Sequence, residues 1–189
     1  MEKFGYQKRE ILIDRVQEAR DGQEEAKEQF QSALEQFSAV VNFRGGELER
    51  KYETLNAEFK DCKFKADTVR KRIVAVEDVA EALFDEWESE LKQYTNANLR
   101  RASKSKLEQT RKHYAQLSGA MKRAEAKMDP VLSAFQDQVL YLKHNLNAKA
   151  IASLHDELVS VEADIELLIK EMETSIAEAD SFIKAMAEA

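Results

Sequence analysis

Apolar residues recur along this chain at alternating intervals of four and three, and few folds accept such a pattern. The first series runs Leu12, Val16, Ala19, Gln23, Ala26, Phe30, Ala33, Phe37 and Val40. After an interruption it resumes at Leu48, Tyr52, Leu55, Phe59, Cys62, Ala66, Val69, Ile73, Val76, Ala80, Leu83 and Trp87, and reaches Tyr94 a heptad later. A repeat averaging about 3.5 residues keeps one seam of an under-wound helix turned toward a partner helix. A strand alternates every second residue and cannot present this series on one face. Leu34, Val41, Val79 and Leu91 lie beside the seam and widen it. A wider stripe suits a helix with more than one neighbour, as in a bundle.

Two further series follow. From Leu107 the spacing predicts Thr110, Tyr114, Leu117, Met121, Ala124, Met128, Val131 and Phe135 on the seam, then a one-residue shift to Val139, Leu142 and Leu146. The last runs Ile151, Leu154, Leu158, Val161, Ile165, Leu168 and Met172, then shifts again to Ile176, Ala179, Ile183 and Met186. The breaks fall near residues 45, 96 and 146, at "FRGGE", "YTNANLRR" and "HNLNAKA". Thr95, Asn96, Asn98, Asn145 and Asn147 suit helix ends better than helix interiors. Ser105 with Glu108 has capping-box spacing and offers the third helix a later start. Pro130 removes the hydrogen bond to the Ala126 carbonyl, so a kink is expected there. A break is not, because the seam passes from Met128 through Val131 to Phe135 without losing phase.

With 34% charged residues, five glycines and one proline, the chain has little material for frequent turns. The expected fold is therefore all-α: an elongated antiparallel helical bundle or coiled coil of about four long helices, up-down-up-down. It occupies residues 11–189 as one domain. Residues 1–10, with Phe4, Gly5 and Tyr6, do not join the heptads cleanly and read as an N-terminal tether or arm.

Little in the chain suggests a reaction. Gly45-Gly46 could cradle a phosphate, but a helical pattern precedes it and Glu47 and Glu49 follow, which would repel one. The pair reads as a helix stop and start, with Gly45 in the left-handed position past the helix end. His113, His144 and His155 lack the Glu-x-x-His and His-Glu-x-x-His spacings of metal sites. Cys62, the single cysteine, lies on the seam and reads as a small buried hydrophobe. A thiol activated by Lys60, Lys63 and Lys65 is the weaker reading. Trp87 reads as core. No catalytic, cofactor-binding or metal-ligating residue is assigned, and the chain is expected not to be an enzyme. A net charge of −7 and a pI near 5.2 argue against nucleic acid. With no apolar run long enough to span a bilayer, the chain is expected to be soluble.

Charge is distributed unevenly. Between Leu99 and Lys127 stand Arg100, Arg101, Lys104, Lys106, Arg111, Lys112, Lys122, Arg123 and Lys127, against Glu108 and Glu125. From Ala148 onward ten acids face Lys149, Lys170 and Lys184. The first reading is that these stripes face each other and fix the helix pairing. The alternative is a basic surface over 100–127 that docks on an anionic membrane or another acidic partner. Phe43 and Arg44 are further candidates for contact, at the first turn. Protein partners are unspecified, and long seams leave homo-oligomerisation open.

Three stretches, "ALEQFSAVVNFRGGELERKYETLN", "VEDVAEALFDEWESELKQY" and "MDPVLSAFQDQVLYLKHNLNAKAIASL", resemble an uncharacterised family of bacterial helical proteins, a domain of unknown function. The resemblance covers nearly the whole chain. It implies an all-helical fold and supplies no catalytic residues. Members often carry an upstream lipoprotein-type signal, which implies a periplasmic or membrane-tethered location at the bacterial envelope. This chain differs in starting at Met1 without such a segment.

Overall fold

The computed structural model describes the backbone of residues 2–188, and side chains from Gln7 onward. It contains α1 (Glu2–Val41), α2 (Leu48–Leu91), α3 (Ala97–His144), α4 (Ala148–Ala152) and α5 (His155–Ala187). Among the described residues there is no strand, so the chain is all-α with four long helices. α1 and α3 each pack against both α2 and α5, which closes the long helices around one shared core.

The three expected breaks are present, each closed by local chemistry. The Asn96 side chain accepts hydrogen bonds from the backbone N–H groups of Asn98 (2.9 Å) and Leu99 (3.2 Å), which starts α3 at Ala97 rather than at Ser105. Asn147 does the same for Ala150 N–H at 3.0 Å. The first turn is built differently from expectation. No described glycine has a positive φ, so Gly45 is not a left-handed cap. α1 instead ends with Phe43 N–H bonding back to Val40, and the Phe43 ring lies over Gly45. A Cβ at residue 45 would meet Phe43 Cζ at 2.8 Å, so this glycine makes room for a ring.

One break was not expected. Ser153 Oγ donates to the Ala150 carbonyl at 2.7 Å, and Leu154 N–H bonds to Ile151. These local bonds interrupt the last helix between α4 and α5. Ile151, Leu154 and Leu158 are all buried, so the interruption costs no phase. Pro130 lies inside α3, which continues through it.

The seam residues of α1 from Leu12 to Val40 are all buried, as are Leu55, Cys62, Ala66, Val69, Ile73, Val76, Ala80 and Leu83 on α2. Of the two expected phase shifts, the one on α3 is met in part: Val139 and Leu142 are buried and Leu146 packs against the core, but Gln138 is buried beside them. The one on α5 does not occur. There the buried series passes from Met172 through Ser175, Ala179 and Phe182 to Met186, leaving Ile176 and Ile183 half-buried. The four-three rhythm is therefore maintained by burying polar side chains. Gln138 compensates in part by reaching Glu157 at 3.4 Å. Gln23 and Ser175 are fully buried and find no protein hydrogen-bond partner.

Polar contacts across the seams set the register. Lys8 pairs with Glu86 (2.9 Å), Arg72 donates to the Glu18 carbonyl (2.7 Å), and Lys65 pairs with Glu25 (2.6 Å). Gln29 donates to Glu58 at 2.6 Å, so partner numbers fall on α2 as they rise on α1. Between α1 and α5 the series is Arg9 to the Met186 carbonyl, Arg20 with Asp180 and Lys27 with Glu173. Of the arm expected over residues 1–10, Lys8 and Arg9 are thus held to α2 and α5. The side chains of Phe4, Gly5 and Tyr6 lie outside the described residues.

Candidate interaction surface

The α2–α3 hairpin is closed just inside its end by an aromatic clamp. Trp87 Nε1 donates to Ser103 Oγ at 2.8 Å, joining the last turns of α2 to the first turns of α3. Below this, Phe84 meets Tyr114 edge to face at 5.5 Å, and the Arg111 guanidinium lies 5.3 Å from the Phe84 ring centre. Arg111 also bonds to Glu88 and holds that carboxyl below its ordinary range. Burial raises the Tyr114 phenol.

Beyond the clamp, every residue from Lys92 to Ala102 is exposed. Lys92, Arg100, Arg101, Lys104 and Lys106 are the charged residues between positions 92 and 106, and the interval contains no carboxylate. Two apolar side chains stand among them: Leu99 is 57% exposed and Tyr94 38%. Their exposure marks this end as a surface that the core does not absorb. Glu88, Leu91, Lys92, Arg100, Arg101 and Lys104 line a shallow groove along it.

Arg111, Lys122 and Arg123 of the basic stretch are committed within the fold. Lys122 pairs with Glu77 on α2 at 2.6 Å, and that hydrogen bond raises the ammonium pKa. Arg111 is bound to Glu88, also on α2, while Arg123 meets Glu171 on α5 at 3.4 Å. The basic stripe therefore divides between two neighbours, because α3 packs against both. The expectation that the basic stripe faces the acids of α5 is met by Arg123 and not by Arg111 or Lys122. The α5 acids Glu173 and Asp180 reach instead to Lys27 and Arg20 on α1. Lys104 makes only a loose pair with Glu108 at 3.8 Å, both well exposed. Among the described residues, Arg100, Arg101, Lys106, Lys112 and Lys127 make no ion pair.

At the opposite end, Phe43 is half-buried against its own turn, with Lys51 Nζ 5.8 Å from its ring centre, and Arg44 is exposed. The adjoining cleft is lined by Gly46, Glu47, Glu49, Arg50 and Glu53. Three carboxylates there disfavour an anionic ligand. Cys62 is fully buried and its thiol is pushed up to about 12, first by desolvation, then by Glu58 and Asp61. The flanking lysines do not lower it. His113, His144 and His155 are exposed, and no three His, Cys, Asp or Glu side chains among the described residues are grouped to hold a metal ion. No described helix is long and apolar enough to cross a membrane. Sequence reasoning placed Tyr94 on the seam and passed over Leu99. The lack of carboxylates between Lys92 and Lys106 was the signal available.

The chain belongs to the family described as "Protein of unknown function (DUF2959)", whose model matches residues 1–186. No curated protein matches it.

Proposed function

We propose that this chain is a non-enzymatic interaction protein: an elongated, up-down-up-down bundle of antiparallel helices that offers its α2–α3 end to a partner. α3, with 48 residues, measures about 70 Å at 1.5 Å per residue. The opposed numbering of the cross-helix contacts supports the antiparallel reading, and its short connections favour it as well. The carrying observation is the composition of the turn: Lys92, Arg100, Arg101 and Lys104 exposed around Leu99 and Tyr94, with no carboxylate between positions 92 and 106. Docking along the whole stretch 100–127 is disfavoured, because Arg111, Lys122 and Arg123 are engaged with Glu88, Glu77 and Glu171. α1 starts at the same end, since Lys8 pairs with Glu86. An N-terminal tether to the bacterial envelope, as the family resemblance implies, would hold this end nearest the lipid. The seam is buried within one chain, which favours a monomer.

A photo-crosslinking side chain placed at Leu99, and separately at Arg44, tests the assignment in living cells. Adducts at position 99 that vanish when Arg100, Arg101 and Lys104 are replaced by Glu support it. Adducts at Arg44 alone, or at neither site, overturn it.

A further inference from the structure

Resting on the reading of the α2–α3 end as the contact surface, we propose that this end docks on an anionic lipid bilayer, turn first, with the rod standing away from the surface. Charge placement is the first argument. The exposed turn carries Lys92, Arg100, Arg101 and Lys104, with half-buried Lys106 behind them and no acid between positions 92 and 106, in a chain whose formal charge is −7; the nearest acids, Glu88 and Glu188, lie behind the turn. At physiological salt a charge is felt over about 8 Å. Ten residues of helix rise about 15 Å, so an approaching surface meets the cationic turn before the acidic rod. A rod lying flat would press acids such as Glu162, Asp164 and Glu166 of α5 toward the same lipid phosphates or leave them just above.

The apolar groups on the turn are the second argument. Leu99 projects beside Arg100 and Arg101 with more than half its surface in water. Tyr94 sits across the turn, and an aromatic ring with a hydroxyl suits the headgroup level of a bilayer. A leucine that can enter the acyl boundary, ringed by cations that pair with phosphates, is the pattern of an interfacial anchor. Nucleic acid would use the cations but leave Leu99 in water. The turn is also preformed: Asn96 caps α3, and Trp87 ties the helices together beneath it. Little ordering cost remains to be met on docking.

The test uses the full chain carrying Leu99→Cys, Gln116→Cys or Arg44→Cys, each labelled with an environment-sensitive dye. Cys62 is buried and stays unlabelled under native conditions. Vesicles contain one-third phosphatidylglycerol in phosphatidylcholine, or phosphatidylcholine alone. The expected result is co-sedimentation with the anionic vesicles only, lost at roughly 0.3 M salt as screening shortens, with a blue shift at position 99 and none at 116 or 44. Replacing Arg100, Arg101 and Lys104 by Glu should weaken binding by about 100-fold or more. Its circular dichroism and melting temperature should not change, since all three side chains are exposed. Leu99→Ser, which leaves every charge in place, should weaken binding several-fold. Absence of sedimentation with anionic vesicles at low salt overturns the proposal, and so does an equal shift at position 116, which would mean a rod lying flat. If vesicle binding fails while crosslinks at position 99 persist in cells, an acidic protein is the partner. The lipid proposal then falls and the interaction reading stands. If both fail, both fall.

Discussion

Gln23→Leu should stabilise this protein, although it removes a large polar side chain from the core of α1. Gln23 is 1% exposed, and neither its amide nitrogen nor its oxygen has a protein partner. It lies on α1 between Arg20, paired with Asp180, and Lys27, paired with Glu173. Ser175, also orphaned, lies near the matching level of α5. An unsatisfied buried polar group costs about 1–3 kcal/mol. Leucine has a similar volume, and a shape mismatch at a core site costs up to about 1.5 kcal/mol. Counting the amide nitrogen and oxygen as two such groups and allowing for that mismatch, the net gain is about 2 kcal/mol. For a chain of this length each kcal/mol moves the melting temperature by about 2–4 °C, so a rise of about 4–8 °C is expected. Thermal melts followed by circular dichroism at two protein concentrations measure it, with light scattering to confirm an unchanged mass. A fall in melting temperature would refute the reasoning, because it would mean the amide is hydrogen-bonded in solution.

Three other outcomes are expected. Pro130→Ala restores a backbone donor within α3 at an exposed position. It should stabilise the chain by about 2–3 kcal/mol, the helix-interior penalty of proline less its effect on the unfolded chain; a melting temperature raised by less than one or two degrees would count against it. Cys62 should react with a thiol reagent at pH 8 only through unfolding, so native labelling is slow and denaturant releases one thiol. Fast native labelling would contradict the burial that raises its pKa. Lys65 holds the Glu25 carboxyl below its ordinary value, first by a hydrogen bond and then by charge, and Arg111 does so for Glu88. A depressed folded pKa stabilises above the unfolded pKa and ceases to do so as pH falls through the folded one. Melting temperature should therefore drop as pH falls from the ordinary glutamate range, about 4.3, to below it. In Lys65→Met the drop should be smaller, and an identical profile would remove this pair from the account.

Much of the fold was legible because four-three spacing is a statement about facing, which local residue types report directly. The breaks near 45, 96 and 146 were readable from glycine and asparagine chemistry. What could not be read depends on neighbours. Past a helix end glycine usually serves as a backbone device, while the use of Gly45 here, space for Phe43, is visible only once the ring is placed. Ser153 bonds back to Ala150 and divides the last helix without moving its seam, so periodicity had nothing to detect. The basic stretch was readable as a charge run. Its division between Glu77 and Glu88 on one side and Glu171 on the other required knowing that α3 touches two helices. The exposed end was readable in its charges and unreadable in its apolar residues, because spacing alone kept Tyr94 on a seam although α2 ends at Leu91.

The phase shift that the sequence suggests on α5 and the fold refuses is explained by comparing magnitudes. Shifting a helix by one residue rotates its face by about 100°, so each side chain downstream must be judged together. On α5 a shift would bury Ile176 and Ile183 in place of Ser175 and Phe182. Keeping phase sets Phe182 edge to face with Tyr114 at 6.3 Å, itself packed on Phe84 at 5.5 Å. An aromatic contact is worth about 0.5–1.5 kcal/mol beyond its area, and burying a phenylalanine contributes about 1.5–3 kcal/mol. One orphaned serine hydroxyl costs about 1–3 kcal/mol, and Ile176 and Ile183 keep part of their burial as half-buried residues, so the phase that buries Phe182 tolerates Ser175 as its companion seven residues earlier. On α3 both phases share Leu142, Gln138 and Val139 are buried side by side, and Gln138 recovers part of its cost at Glu157. Seam polarity is in this sense a consequence of long-range phase. A double change, Ser175→Ala with Phe182→Ser, separates the terms. If phase is held by the aromatic contact, the second change should cost more than the first returns, and the last turns of α5 should exchange their amide protons faster.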